Sequence, residues 1–231
     1  MRYAKRKELF EQGQMTPAQM NAEAGNTCVF IIGNTLFGRP NLDNIKDCPF
    51  DSVEELEKHL LEQWNRWVND WDTVIIVGGF AVDEENVRKY AKLLKGKKML
   101  IKGEYDLKDN KIYYDAGFTE VYSHPIIFRD KLILTPKIMR PDTRFKVVYS
   151  YMPNGNEPIP LMDNLICVAP EYVLYKPTYV KTLMQRMKQV KMMLNERRKC
   201  AQKVQKEIAN ENEFEIQEIS ENSEQDSADS E

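Results

Sequence analysis

The first half of the chain alternates short apolar segments with longer amphipathic ones, and this alternation constrains the fold more than any other feature. Residues 51–68 and 83–94 place apolar side chains at helical spacing among polar ones. The segments beside them are about five residues long and largely apolar, which is typical of buried strands: 28–32, 73–77 and 98–102. This β-α-β-α-β order predicts a layered α/β domain.

From residue 119 onward, short runs are separated by turn residues. Runs of this length that are rich in β-branched and aromatic residues are typical of strands. We expect them to be later strands that form a second sheet: 119–122, 125–128, 131–135, 145–151 and 164–168.

The C-terminal part of the chain carries a heptad pattern. Residues 178–210 contain no glycine or proline, and apolar residues recur there at a and d positions, interrupted only by Arg197. This spacing predicts a long helix that binds a partner. Because either arrangement requires only one apolar face, the pattern leaves open whether the helix projects or folds back on its own domain. The seam positions are Val180, Leu183, Met187, Val190, Leu194, Ala201, Val204 and Ile208.

Charge divides this C-terminal part in two. Residues 178–206 hold nine Lys or Arg and one Glu, whereas residues 211–231 hold nine Asp or Glu and no basic residue. The acidic, serine-rich segment is typical of a disordered tail, and it would compete with nucleic acid for the basic helix. A net charge of −3 and the lack of a run of ~20 apolar residues also argue against nucleic-acid and membrane partners. We therefore expect protein partners.

These patterns predict four regions. Residues 1–26 form an N-terminal arm, and residues 27–178 form the folded domain. Residues 179–210 form the heptad-patterned helix, and residues 211–231 form the acidic tail.

Histidine and cysteine usage limits the chemistry. The chain has two histidines, His59 and His124, which excludes any mechanism that needs three histidines in one subunit. The four cysteines are far apart and form no CxxC pair, so neither a zinc site nor a disulfide framework is predicted.

Several motifs, in a fixed order and spacing, resemble those of the calcineurin-like metallophosphoesterase superfamily, in particular its small phage and bacterial members. The similarity extends from about residue 28 to residue 180. It implies an αββα sandwich, here followed by the long C-terminal helix. The matching segments are 30–39, 48–55, 72–80, 96–106, 132–136, 146–151 and 175–177.

Members of this superfamily hold two metal ions with Asp, His and Asn side chains, and the metals activate a water for attack on phosphorus. The resemblance places other residue types at almost every such position, and Leu, Gly and Pro offer a metal no side-chain donor. Asp106 matches a family aspartate that is not a metal ligand, and Arg39 ends the opening motif. The positions that have changed are Asn34, Leu36, Gly79, Glu104, Tyr105, Pro136, Tyr149 and Tyr151.

The resemblance therefore implies a vestigial pocket with no catalytic residues, no metal and no cofactor. We expect a catalytically inactive protein with a structural or protein-interaction role, assembled as a homo-oligomer or larger complex. A phage virion or assembly component of the ring or connector type fits this reading, with a place in the host cytoplasm or in the virion. Two alternatives remain: a phosphodiesterase or nuclease with an altered site, and a metal-free phosphate- or nucleotide-binding regulator that uses Arg39, Lys102 and Lys137.

Overall fold

The computed structural model describes residues 27–43, 45, 48–139, 144–150 and 164–196. The predicted arm and acidic tail lie outside these described residues, as do Tyr151 and the seam positions Ala201, Val204 and Ile208. Within the described stretches, no helix is both long enough and apolar enough to cross a membrane.

The first sheet contains the strands predicted from the apolar runs. Its order is β4-β3-β2-β1-β9, in which β1 to β4 are parallel and the short β9 is antiparallel to β1. The strands are β1 Val29–Gly33, β2 Thr73–Val77, β3 Lys97–Ile101, β4 Phe118–Tyr122 and β9 Thr178–Tyr179. The helices that connect them in turn are α1 Val53–Trp67, α2 Glu84–Leu93 and α3 Asn110–Asp115.

One strand is in a different sheet from the predicted one. The run 119–122 was expected in the second sheet, but β4 pairs with β3 in the first. The sequence offers no indication of α3, the six-residue helix that connects β3 to β4 in the first sheet. Its N-cap, Asp109, accepts a hydrogen bond from the Lys111 N–H at 2.8 Å. So short a helix has too little periodicity to be recognised from the sequence.

The second sheet has the order β5-β6-β7-β8. A hairpin joins β5 to β6, and both of its turn residues, Arg129 and Asp130, have positive φ. The pairs β6–β7 and β7–β8 are parallel. The strands are β5 Ile126–Phe128, β6 Leu132–Thr135, β7 Lys146–Tyr149 and β8 Leu165–Cys167.

A single hydrophobic core joins the two sheets. Consecutive side chains of β1 and β2 are buried, because each of these strands has both faces covered. This accounts for their uninterrupted apolar sequence. Leu132, Leu134 and Val148 of the second sheet belong to the same core. The predicted two-sheet α/β sandwich with a C-terminal helix is confirmed.

The C-terminal helix begins at residue 180 and continues to residue 196, where the described residues end. Val180, Leu183 and Met187 are buried in the core of the domain, which corrects the prediction that these three seam positions contact a partner. They are spaced to cover the core, as a helix packed on its own domain requires. Val190 and Leu194 are partly exposed.

The chain divides into two compact units, residues 1–187 and 188–231. The first unit therefore includes the beginning of the C-terminal helix, beyond the predicted boundary at residue 178. The pattern is continuous across this point, so the sequence gives no sign of the division.

Lys98 is a buried charge in β3. Its side chain is 6% exposed, and its Nζ donates a hydrogen bond to the Gly96 carbonyl at 3.0 Å. Burial lowers the pKa of Lys98 to about 8, against a smaller opposing effect of Asp70. The ammonium is therefore less favourable in the folded protein than in the unfolded chain.

We predict that Lys98→Met stabilises the protein at pH 7 by about 1–2 kcal/mol, after allowance for partial solvation. The folded pKa of about 8 lies below the ordinary value of 10.5, so the unfolded chain binds more protons between these values. Raising the pH through this window therefore stabilises the wild type relative to the variant. Urea unfolding at pH 7 and pH 9.5 measures the difference.

Lys97→Met is the matched control, because Lys97 is the exposed neighbour in the same strand. A Lys98→Met effect that stays constant between the two pH values would contradict this account.

Candidate functional site

The loops that follow β1, β2 and β3 meet at one edge of the first sheet. In open parallel sheets this edge, at the carboxyl ends of the strands, is where ligands usually bind. The resemblance places metal-ligand positions in these loops and in the loop after β6. The edge is therefore the candidate site.

Backbone hydrogen bonds hold the first two loops together. The Asn34 N–H donates to the Gly78 carbonyl at 2.9 Å, and the Leu36 N–H donates to the Gly79 carbonyl at 2.7 Å. Asn34 and Leu36 have φ of 46° and 45°, a conformation that costs a residue other than glycine roughly 1 kcal/mol or more. The tertiary hydrogen bonds offset this cost.

Side-chain carbon fills the space between these loops. A Cβ placed on Gly79 would lie 2.9 Å from Leu36 Cδ2 and 2.6 Å from Asn34 Oδ1. A Cβ on Gly78 would lie 3.1 Å from the Cβ of Pro136. At a φ of 54°, a side chain at position 79 would be strained and would have to displace the side chains of Asn34 and Leu36.

Ser150 closes the site from the second sheet, and the sequence reading missed it. Its carbonyl accepts a hydrogen bond from Asn34 Nδ2, and its Oγ donates one to the Val77 carbonyl. A Cβ on Gly33 would lie 2.2 Å from Ser150 Cβ, so the two strand ends are in direct contact. The only sequence signal is the small residue between Tyr149 and Tyr151.

Asp106 is the most heavily hydrogen-bonded side chain of the site. Its Oδ2 accepts from the N–H groups of Gly79 and Gly103, both at 2.7 Å. Its Oδ1 accepts from the Phe80 N–H at 2.9 Å and from the Tyr113 hydroxyl at 3.2 Å. Burial raises the pKa of Asp106, and these four donors oppose the increase. With both oxygens engaged, the carboxylate acts as a clamp between two loops.

Glu104 and Tyr105 do not line the pocket, in contrast to the prediction. Glu104 forms an ion pair with Lys137 at 3.2 Å, and both side chains are about two-thirds exposed. Tyr105 is 62% exposed. Because Asp106 faces inward, the turn directs its two preceding neighbours to the surface.

Tyr149 is buried away from the site, which corrects its predicted place in the pocket. It belongs to a second apolar cluster with Cys167 and Ala169, and its hydroxyl has no hydrogen-bond partner among the described residues. Burial raises the pKa of Tyr149 and raises that of the Cys167 thiol to about 12. Since Val148 points into the main core, alternation along β7 places Tyr149 on the opposite face.

The basic residues proposed for a metal-free phosphate site all make contacts within the protein, and among the described residues the buried Nε of Arg39 has no hydrogen-bond partner. Arg39 Nη2 donates to the carbonyls of Thr35 at 3.2 Å and Asn34 at 3.4 Å. Burial lowers the pKa of Arg39, and the nearby Glu171 has the largest opposing effect. Lys102 Nζ donates to the Lys108 carbonyl and to Asn110, and Lys137 pairs with Glu104.

The residues at this edge do not fit a two-metal centre. Leu36, Gly79 and Pro136 offer no donor, the Asn34 amide is bonded to Ser150, and both oxygens of Asp106 accept backbone hydrogen bonds. Within the described part of the chain, no three His, Cys, Asp or Glu side chains are grouped so that they could hold a metal ion.

Comparison with known proteins supports the fold but assigns no activity to the chain. No protein-family model matches the chain. An uncharacterized protein of Methanocaldococcus jannaschii is 31% identical over 81 residues, a match that spans 34% of this chain and 46% of that protein. The chain thus matches about half the length of this curated relative.

Two solved structures are similar. The crystal structure of a protein of unknown function from Aquifex aeolicus has a TM-score of 0.56 and 18% identity, covering 69% of this chain and 99% of that one. The two proteins share the α/β fold. A nuclease, MPE, from Pseudomonas putida has a TM-score of 0.36 and 16% identity, covering 53% of this chain and 60% of its own. This TM-score is too low to support a shared fold or activity.

We predict that Asp106→Asn lowers the free energy of unfolding by about 2–4 kcal/mol. Each carboxylate oxygen accepts one or two backbone N–H bonds, so either orientation of an Asn amide sets an NH2 against an N–H donor. Urea denaturation measures the loss. Asp115→Asn makes the same charge change at an exposed position in α3 and is expected to have little effect. Equal effects of the two substitutions would show that Asp106 is not a clamp.

Proposed function

We propose that this chain is a non-catalytic protein with a metallophosphoesterase-like fold that serves a structural or protein-interaction role. The observation that carries the proposal is the closure of the strand-end edge by carbon and by internal hydrogen bonds. Leu36 and Pro136 occupy space there, and Asn34, Ser150 and Asp106 are bonded to the protein itself. Among the described residues, such an edge keeps the scaffold while most of its polar side chains are bonded to the protein itself.

The C-terminal helix is the segment we propose for partner binding, starting after Met187. Met192 and Met193 are 64% and 53% exposed, and the seam positions Val190 and Leu194 are partly exposed. Adjacent exposed methionines on a helix are typical of surfaces that bind other proteins. The heptad pattern in the sequence extends to Ile208, which favours a second copy of this helix as the partner.

A place in a phage particle, as a ring or connector component, remains part of the proposal. It rests on the sequence resemblance to small phage proteins, and the two extensions of the domain agree with contacts between copies. The metal-free phosphate-binding alternative is less favoured at this edge, because Arg39, Lys102 and Lys137 are each engaged with protein groups.

The altered-enzyme alternative has a direct test. We predict that the purified chain does not hydrolyse bis-p-nitrophenyl phosphate in the presence of manganese, because the described residues of the edge form no cluster of metal donors. The release of p-nitrophenol is measured for the wild type and for Asn34→Ala and Glu104→Ala. A manganese-dependent rate that is lost in either variant would overturn the non-catalytic reading.

Oligomerisation has a second test. We predict that the chain forms a defined oligomer and that the double substitution Val190→Glu and Leu194→Glu converts it to a monomer, because charged groups would then lie in the seam. Light scattering measures the mass. Gln189→Glu with Asn195→Glu adds the same charge at exposed positions of the same helix and is expected to leave the oligomer intact.

The oligomerisation test uses substitutions after Met187 and not a truncation of the helix. Deleting the chain from residue 178 would remove Val180, Leu183 and Met187 from the core and unfold the domain. A monomeric wild type, or a double variant with unchanged mass, would refute self-association through this helix.

A further inference from the structure

The C-terminal helix has a basic face that points away from its apolar seam. After Met187 this face carries exposed side chains spaced three or four residues apart, which makes them neighbours on the surface of a helix. They are Lys188, Lys191, Met192 and Asn195. The seam residues Val190 and Leu194 lie roughly 130° away around the helix axis. The two faces of the helix are therefore separate surfaces.

The basic face combines positive charge with an exposed apolar side chain. Lys188 and Lys191 form no ion pair with another described residue. Met192 lies beside Lys188 on the same face and is 64% exposed. An occupant that fits this face therefore has to carry acidic and apolar side chains together.

The sequence contains such an occupant further along the same chain. Residues 211–221 hold five Glu and no Lys or Arg, and three large apolar residues are interspersed among the acids. These are Phe214, Ile216 and Ile219. Residues 222–231 are also acidic but contain no large apolar residue. Because alternating acidic and apolar residues are typical of amphipathic binding segments, the first part of the tail is the better match.

The chain between the face and this segment is long enough for the two to meet. The heptad pattern predicts that the helix continues to Ile208, which would lie about 30 Å beyond Lys188 at 1.5 Å per residue. Residues 209–221 can span up to about 40 Å, so a reversal of the chain after Ile208 returns the segment to Lys188. A segment tethered in this way also has an effective concentration of about 1 mM at its target, which favours it over a second copy.

We propose that residues 211–221 dock on the face formed by Lys188, Lys191 and Met192 of the same chain. Glutamates of the segment pair with the two lysines, and one of its apolar side chains packs on Met192. Exposed ion pairs contribute little individually, so the apolar contact with the adaptable methionine gives the docking its specificity. Face and segment both belong to the unit of residues 188–231, and the seam stays free. The proposal therefore does not depend on the proposed function.

Zero-length cross-linking of the full chain with a water-soluble carbodiimide tests the proposal, because this reagent joins a lysine to a carboxylate only where the two are in contact. The wild type is expected to yield peptides in which Lys188 or Lys191 is joined to a glutamate of residues 211–221. In about 1 M potassium chloride, where the Debye length is about 3 Å, this yield is expected to fall several-fold. An equal mixture of unlabelled and isotope-labelled protein shows whether the joined residues belong to one chain.

The double substitution Phe214→Ser and Ile219→Ser keeps every charge and is expected to lower the yield several-fold, because the apolar contact with Met192 is lost. The matched control is a chain that ends at residue 221. It loses four acidic residues but keeps the docking segment, so its yield is expected to equal that of the wild type.

Cross-links from Lys97, an exposed lysine of β3, give the background yield. Three outcomes would each overturn the docking of this segment on its own helix. The first is a yield at Lys188 and Lys191 no higher than at Lys97. The second is cross-linking mainly between labelled and unlabelled chains, and the third is an unchanged yield in the double variant.

Discussion

The carboxylate of Asp106 determines the geometry of the strand ends. Three backbone N–H groups and one hydroxyl converge on its two oxygens, and they come from the loops after β2 and β3 and from α3. Gly78 and Gly79 can take positive φ and approach closely, which lets their N–H and carbonyl groups serve two neighbours. The carbonyls of the same two glycines then hold Asn34 and Leu36, so the β1 loop depends on Asp106 as well.

Asp106, the side chain that positions the loops of this edge, does not lie at a metal-ligand position of the resembled superfamily. The clamp and the glycine turn position the loops, and neither needs a metal ligand. Side chains from the loops after β1 and β6 then fill the space, and Ser150 bonds across from the second sheet. The edge is thus a surface made of several loops that internal hydrogen bonds hold together.

The C-terminal helix serves two purposes along its length. Up to Met187 its apolar face completes the domain core. After Met187 its apolar side chains are partly or largely exposed.

Local patterns in the sequence determined much of the outcome. Periodicity determined the β-α-β-α-β order, the two-sheet class and the C-terminal helix, since each depends on residues close together in the chain. Side-chain chemistry alone showed that Leu36, Gly79 and Pro136 cannot bind a metal. The tertiary structure alone decided the sheet to which β4 belongs, the outward direction of Glu104 and Tyr105, and the separate burial of Tyr149. It also decided which side chains of the C-terminal helix are buried in the core and that Lys176 lies over the Trp67 ring. These features depend on contacts between residues far apart in the chain, and a sequence pattern does not encode them.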